Sequence, residues 1–84
     1  MRNDDIAQVL RETADLLELT GGNPHRARAF ARAARSVSGL DQPATERLDA
    51  GTLVDVQGIG SAMSQHVGEI LRDGSLELRD ELLS

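Results

Sequence analysis

The stretch Thr52-Leu53-Val54-Asp55-Val56-Gln57-Gly58-Ile59-Gly60-Ser61, followed by a run with helical periodicity, decides the fold of this chain. Its first half is a short apolar segment, its centre is a Gly-Ile-Gly turn, and its end begins a helix. Gly58 and Gly60 lack a Cβ atom, so the turn can take positive φ and let another group approach the main chain. The stretch therefore predicts two helical arms joined by a tight glycine turn.

A phosphate group suits such a turn. The first N–H groups of a helix have no intrahelical partner, and the helix dipole favours an anion in front of them. Phosphate contacts fix a protein's position on a nucleic acid without reading base identity. The pattern thus indicates a helix-hairpin-helix motif that binds the DNA backbone through Gly58, Ile59, Gly60 and Ser61. The alternative is an ordinary helix corner in which the glycines only end a helix.

Length and composition bound the fold further. With 84 residues, the chain predicts a single domain over residues 1–84 with one modest core. Phe30 is the one aromatic residue, so Leu, Val, Ile and Ala must supply the core, which favours small, closely packed helices. The absence of cysteine excludes disulfides and thiolate metal sites. No apolar run has the length of a membrane span and we find no signal peptide, so we expect no membrane partner and a cytoplasmic location.

The charges are segregated along the chain. Nine Arg and no Lys stand against fourteen acidic residues, a net charge of −5, yet residues 23–40 hold four Arg and no acid. At about 100° per residue, Arg28, Arg32 and Arg35 share one helix face, while Arg26 lies near the edge of the apolar face. Such a stripe can bind successive phosphates. A solvated face that balances the surrounding acids is the alternative.

Apolar periodicity predicts an all-α fold, a compact bundle of four main short helices that includes the helix-hairpin-helix motif. Predicted helices cover residues 4–19, 24–37, 43–48, 62–73 and 75–83, and residues 53–56 form the first arm of the hairpin. The expected N-caps are Asn3, Asn23 and Ser61. The expected inner face of the second helix consists of Ala27, Phe30, Ala31, Ala34 and Val37.

Two blocks of this sequence resemble the N-terminal domain of family X DNA polymerases, of the bacterial type and more distantly of DNA polymerase beta. The first block contains Ala14-Asp15-Leu16-Leu17-Glu18, Gly22-Asn23-Pro24-His25-Arg26-Ala27-Arg28-Ala29-Phe30 and Ala33-Ala34-Arg35. The second block contains Gly51-Thr52-Leu53, Gly58-Ile59-Gly60, Ile70-Leu71 and Gly74-Ser75-Leu76. The resemblance covers essentially the whole chain.

The resemblance implies a domain that grips the 5′ side of gapped or nicked duplex DNA during repair synthesis, without sequence specificity. Its implied partners are that DNA and C-terminal polymerase domains of the same chain, at the nucleoid. It gives His25 and Arg26 a role around the 5′-phosphate. Together with the arginine stripe and the hairpin, the expected DNA-binding residues are His25, Arg26, Arg28, Phe30, Arg32, Gly58, Ile59, Gly60, Ser61 and His66.

Other matched positions carry finer expectations. Phe30 stands where the family has a tyrosine, so the ring remains without its phenolic donor. The carbonyl oxygens of Val54, Val56 and Ile59 match those that hold a monovalent cation, Na⁺ or K⁺, between hairpin and phosphate. Gln57 replaces the usual hairpin proline, which we expect to loosen the turn and to supply an extra N–H.

In DNA polymerase beta and its relatives this domain excises a 5′-deoxyribose phosphate through a lysine Schiff base. His66 matches that lysine, and Ala62 matches a neighbouring phosphate-binding lysine. Imidazole cannot form such an imine, and the amino group of Met1 is the one primary amine of the chain. We therefore predict no catalytic residue and no lysine-type lyase activity. A proton-transfer role for His66 and a purely structural role stay open as alternatives.

Two functions of other classes compete with DNA-end binding. One is a protein-interaction module that docks through the apolar tail Leu76, Leu78, Leu82 and Leu83. The other is a residual lyase that uses the amino group of Met1.

Overall fold

The computed structural model describes all residues from Met1 to Ser84 and contains five α-helices and no strand. The helices are α1 (Asn3–Leu19), α2 (Pro24–Ser38), α3 (Ala44–Asp49), α4 (Ser61–Asp73) and α5 (Glu77–Leu83), with a 3₁₀ turn at Leu53–Asp55 between α3 and α4. Four of the five helices have seven residues or more. The predicted all-α bundle of four main helices is confirmed, and none of its helices is long and apolar enough to cross a membrane.

Helices α1 and α2 form an antiparallel pair. The Ser38 hydroxyl at the end of α2 donates to Asp4 at the start of α1, over 3.3 Å. Asn23 is the N-cap of α2 as predicted, since its Oδ1 accepts the His25 N–H at 2.8 Å, and Pro24 follows at the first helical position. The buried face of α2 contains the small residues Ala27, Ala33 and Ala34, beside Phe30 and Val37.

The core lies between this pair and the C-terminal half of the chain. Its apolar members, all buried, are Ile6, Ala7, Val9, Leu10, Ala14, Leu17, Ala27, Phe30, Ala33, Ala34, Val37, Ala44, Leu53, Ile59, Met63, Val67, Ile70 and Leu76. Ala33 is fully buried and Ala31 only half-buried, which corrects the predicted inner face of α2. The helix is rotated so that Ala33 lies within the core, while Ala31 packs against the edge of the core.

Asn3 does not cap α1, contrary to expectation. The N-cap position belongs to Arg2, whose backbone N–H donates to the Asp5 carboxylate at 3.2 Å. The Asn3 side chain instead reaches across the chain to the start of α3. Its Nδ2 donates to the Gln42 carbonyl at 2.9 Å, and its Oδ1 accepts the Ala44 N–H at 2.8 Å. Asn3 thus caps a helix 41 residues further along.

The C-terminal helix α5 packs on α1. Arg79 reaches Glu12 of α1 at 3.5 Å, and the Glu69 carboxylate of α4 accepts the Glu77 N–H at 2.6 Å. Leu76 is fully buried and Leu78 and Leu82 are half-buried against the core, which leaves only Leu83 well exposed. The apolar tail that suggested a docking surface for another protein is therefore mostly used within the fold.

Candidate nucleic-acid interface

The hairpin turn depends on Gly58, which has a φ of +92°. The Ile59 N–H closes the turn by donating to the Val56 carbonyl at 2.9 Å, and the Ile59 side chain is buried in the core. Gly60 has a φ of −102°, so only one of the two motif glycines needs the left-handed region. The Ile59 side chain therefore anchors the turn in the core, while the backbone of the turn lies at the surface.

Helix α4 begins directly after the turn. Its N-cap is Gly60 and Ser61 is its first residue, which corrects the predicted cap at Ser61. The first main-chain bond of the helix runs from the Ser64 N–H to the Gly60 carbonyl at 2.9 Å. The N–H groups of Ser61, Ala62 and Met63 accordingly have no partner within the helix. An anion in front of the turn would meet these donors and the positive end of the helix dipole.

The hairpin packs against α2, the helix that carries four arginines. The Ser36 hydroxyl donates to the Gln57 carbonyl at 2.7 Å. The aliphatic stem of Arg32 covers Gly58, because a Cβ atom built on that glycine would lie 3.1 Å from Arg32 Cγ. The turn at Gln57 is thus joined to α2 by a hydrogen bond. The two features that sequence analysis found separately form one continuous surface.

The arginines of α2 differ in their distance from the hairpin. All four are exposed. With about 100° of rotation per residue, Arg32 lies about 40° from Ser36 around the helix axis, whereas Arg35 lies about 100° away. Arg28 bonds to His25 through Nη2 and Nδ1 at 2.8 Å. Arg32 is therefore the arginine closest to the turn.

None of these four arginines forms a salt bridge. The salt bridges of the chain join Arg72 to Asp73 and Arg79 to Glu12 and Asp80, all outside α2. The guanidinium groups of α2 are therefore not bound to carboxylates of the chain, which fits both a solvated face and a face that binds a ligand.

His66 lies on α4 beside the N-terminal half of α2. It is half-buried, and its ring centroid is 5.2 Å from that of Phe30, at an interplanar angle of 39°. Burial lowers the pKa of the His66 imidazole, and the positive charge of Arg26 adds to this effect, while the Glu69 carboxylate opposes it. His66 is therefore held neutral at neutral pH, close to a fixed positive charge.

Phe30 is fully buried, which corrects its prediction as a DNA contact. A ring with no exposed surface cannot touch a nucleic acid. It supports the His66 ring from within the core instead. The remaining predicted residues divide into two groups: Arg32 with the turn at one end of the surface, and His25, Arg26, Arg28 and His66 towards the N-terminal end of α2.

Sequence reasoning missed two contacts that shape the hairpin. One is Ser36, described above. The other is Arg47 of α3, whose Nη2 donates to the Thr52 carbonyl at 3.2 Å, while the Thr52 N–H donates back to the Arg47 carbonyl at 2.9 Å. This reciprocal pair fixes the entry of the chain into the first arm. Neither Ser36 nor Arg47 is part of a distinctive spacing, so no signal in the sequence pointed to them.

The surface of the hairpin has no enclosed pocket. The larger cleft of the molecule, with a volume of about 480 Å³, is lined by Met1, Ser38 and their neighbours at the opposite end of α2 from His25. Twelve residues of helix separate Ser38 from Arg26, about 18 Å. The cleft therefore lies away from the arginines at the N-terminal end of α2. No group of three His, Asp or Glu side chains is placed to hold a metal ion.

Comparison with known proteins identifies the kind of domain. The profile of the helix-hairpin-helix domain family matches residues 1–76. No curated protein matches the chain. The match spans both arms of the hairpin and α1 to α4, so it covers the whole candidate interface.

Proposed function

This chain belongs to the helix-hairpin-helix domain family, and on that premise we propose that it is the DNA-binding domain of a family X DNA polymerase. Helix-hairpin-helix domains generally bind DNA, and the matched family is that of the lyase-like domain of these polymerases. In this proposal the domain grips the backbone and the 5′-phosphate side of gapped or nicked DNA in repair synthesis. C-terminal polymerase domains of the same chain are its implied partners.

One observation carries the proposal: the unpaired arginine face of α2 and the open N-terminus of α4 meet at Gly58. The Arg32 stem crosses the turn, and the first N–H groups of α4 begin three residues later. A DNA strand laid along this surface meets main-chain donors and a guanidinium together. Both recognise phosphate and neither reads a base, so binding is expected to be independent of sequence.

The 5′-phosphate belongs, in this proposal, at the N-terminal end of α2. His25 is exposed there and hydrogen-bonds to Arg28, and Arg26 acts electrostatically on His66 of α4. A terminal phosphate monoester carries more negative charge than a bridging diester. Its negative charge would be attracted more strongly by the exposed guanidinium groups of Arg26 and Arg28. Preference for a phosphorylated 5′ end follows from this arrangement.

A monovalent cation, Na⁺ or K⁺, is part of the proposal at the hairpin. The Val56 carbonyl accepts the Ile59 N–H, whereas the carbonyls of Val54 and Ile59 accept no hydrogen bond from the chain. Hard cations take oxygen ligands, so the proposal assigns these three carbonyl oxygens to the ion. The ion would neutralise part of the phosphate charge near the turn. Exchange of K⁺ for a bulky organic cation such as tetramethylammonium at constant ionic strength should then weaken binding.

The decisive experiment is fluorescence anisotropy of the chain on a short-gap duplex, with a 5′-phosphate or a 5′-hydroxyl at the gap, across a salt series. We expect tighter binding to the phosphate, and affinity that falls steeply with salt as counterions are released. Weak binding without this preference, even at low salt, would reject the proposal. A protein-interaction role would then explain the family match better.

The proposal includes the absence of lysine-type lyase activity. Borohydride should trap no adduct of the chain on 5′-deoxyribose-phosphate DNA, because His66 has no primary amine. The variant His66→Lys supplies one at the matched position, and we expect it to give a trapped adduct. Adduct formation by the unsubstituted chain at a residue other than Met1 would contradict this part of the proposal.

A further inference from the structure

Ser36 makes the one side-chain hydrogen bond that joins α2 to the hairpin. Its Oγ donates to the Gln57 carbonyl at 2.7 Å, across 21 residues of sequence. The side chain is half-buried. The other serine at the end of α2, Ser38, points to Asp4 of α1 and has no part in the hairpin. Two similar hydroxyl groups two residues apart therefore serve different interfaces.

The backbone of the turn approaches α2 without a side chain between them. A Cβ atom at Gly58 would overlap the Ser36 hydroxyl and press on Arg32 Cγ at 3.1 Å and Arg32 Cδ at 3.4 Å. No comparable obstacle exists at Gly60, where a Cβ would meet no atom within 4 Å. The close fit at Gly58 is thus a property of the contact with α2.

Ser36 and Arg32 are one helical turn apart on the same side of α2. The hydrogen bond from Ser36 fixes the distance between α2 and the turn, and the stem of Arg32 fills the adjacent space. The stem of Arg32 is consequently placed beside the turn that precedes the first N–H groups of α4, and its exposed guanidinium extends from there. These are two separate kinds of phosphate donor, and a single hydroxyl governs their spacing.

We propose that Ser36 is a positioning residue for DNA binding: its hydroxyl holds the hairpin in register with α2, so that Arg32 and the N-terminus of α4 bind neighbouring phosphates of one strand. This inference rests on the proposed DNA-binding function. It assigns no direct DNA contact to Ser36. It predicts that Ser36 and Arg32 act as a coupled pair.

The test compares Ser36→Ala with Ser38→Ala on the gapped 5′-phosphorylated duplex, well below the melting temperature and with folding verified by circular dichroism. Loss of one hydrogen bond should weaken binding roughly three- to tenfold in Ser36→Ala. Ser38→Ala, the matched control, should bind like the original chain. Ser36→Thr and Ser36→Val introduce side chains of equal size, of which only threonine has a hydroxyl. Ser36→Thr should therefore retain DNA affinity, and Ser36→Val should lose it.

A double-mutant cycle separates positioning from general stability. Arg32→Ala should reduce affinity in the original chain, and should reduce it at least twofold less when Ser36 is already Ala, because the guanidinium has then lost its register. A residue that merely stabilises the fold would lower the melting temperature and leave this coupling at zero.

The outcomes are distinguishable. If the original chain does not bind DNA, the proposed function fails and this inference fails with it. Two other results would overturn only the role of Ser36. In one, the original chain binds DNA, and Ser36→Ala and Ser36→Val bind it as tightly as the original chain does. In the other, the original chain binds DNA and the cycle shows no coupling.

Discussion

Two surfaces of the molecule use arginine in opposite ways. One is the exposed arginine side of α2, the α2 face, and the other is the surface where α5 packs on α1, the α1–α5 face. On the α1–α5 face, the side chain of Arg79 is 18% exposed and bridges Glu12 and Asp80. On the α2 face, four exposed arginines have no carboxylate partner. An arginine that is paired with a carboxylate contributes to the fold. The N–H donors of an unpaired arginine can bind a ligand instead. A net charge of −5 is thus compatible with a phosphate-binding surface, because residues 23–40 contain no acid and the arginines among them form no salt bridge.

The largest disruption of the α2 face should come from Gly58→Ala. Positive φ strains any residue with a Cβ, and the overlap with Ser36 costs the hydrogen bond to Gln57, so we expect a loss of about 2–3 kcal/mol in unfolding free energy. Urea denaturation measures this value. DNA affinity should fall as well, since the turn moves away from Arg32.

Gly74→Ala provides the control for backbone strain alone. Gly74 has a φ of +75°, but a Cβ there would meet no atom within 4 Å. Its expected cost is about 1–2 kcal/mol. Equal losses for the two variants, with DNA affinity unaffected in both, would mean that the contact of the turn with α2 has no energetic importance.

Paired substitution of Arg32 and Arg79 sharpens the contrast between the faces. Arg32→Ala should leave stability nearly unchanged and lower the slope of log affinity against log salt by about one, the signature of one lost phosphate contact. Arg79→Ala should lower stability by about 1 kcal/mol, through the lost ion pair and the lost packing of its stem, without a change in salt slope. An unaltered salt slope in Arg32→Ala would place that guanidinium away from DNA.

The smallest expected effect concerns pH. The pKa of His66 is lowered in the folded chain from the ordinary value of 6.5, mainly by burial. The unfolded chain therefore binds a proton first as pH falls, so the contribution of neutral His66 to stability is complete above pH 6.5 and declines below it. Urea denaturation from pH 8 to pH 5 should show a shallower loss of stability in His66→Gln than in the original chain. If the unfolding free energies of the two proteins changed in parallel with pH, the assignment of this pH dependence to His66 would be refuted.

Much of the fold is legible in the sequence because it depends on local chemistry. Asn23-Pro24 starts α2 as predicted, and the apolar spacing of α1 and α4 gives the correct helices. Errors occur where a residue's partner lies far along the chain. Asn3 has good N-cap chemistry, but it uses that chemistry on Ala44. No local pattern indicates which helix a capping side chain will serve.

The candidate site divides in the same way. The glycine turn and the arginine helix are visible as patterns, while their contact is a matter of three-dimensional packing. The position of Ser36 could not be predicted, because a serine on the flank of an amphipathic helix is unremarkable until the rotation of the helix is known. Apolar periodicity placed Phe30 correctly on the inner face of α2, whereas the resemblance to a family with tyrosine at this position led to its assignment as a DNA contact.

The bridge from Asn3 to the start of α3 has a consequence for folding. Helices α1 and α2 are neighbours in sequence and can pair early, whereas α3 is six residues long and too short to persist alone. Its first turn is completed only when the amino-terminal end of α1 is already in place. The segment that leads into the first arm of the hairpin is thus held by hydrogen bonds from the side chain of Asn3. Replacement of Asn3 by alanine would therefore remove at once both side-chain hydrogen bonds that join the amino terminus to the start of α3.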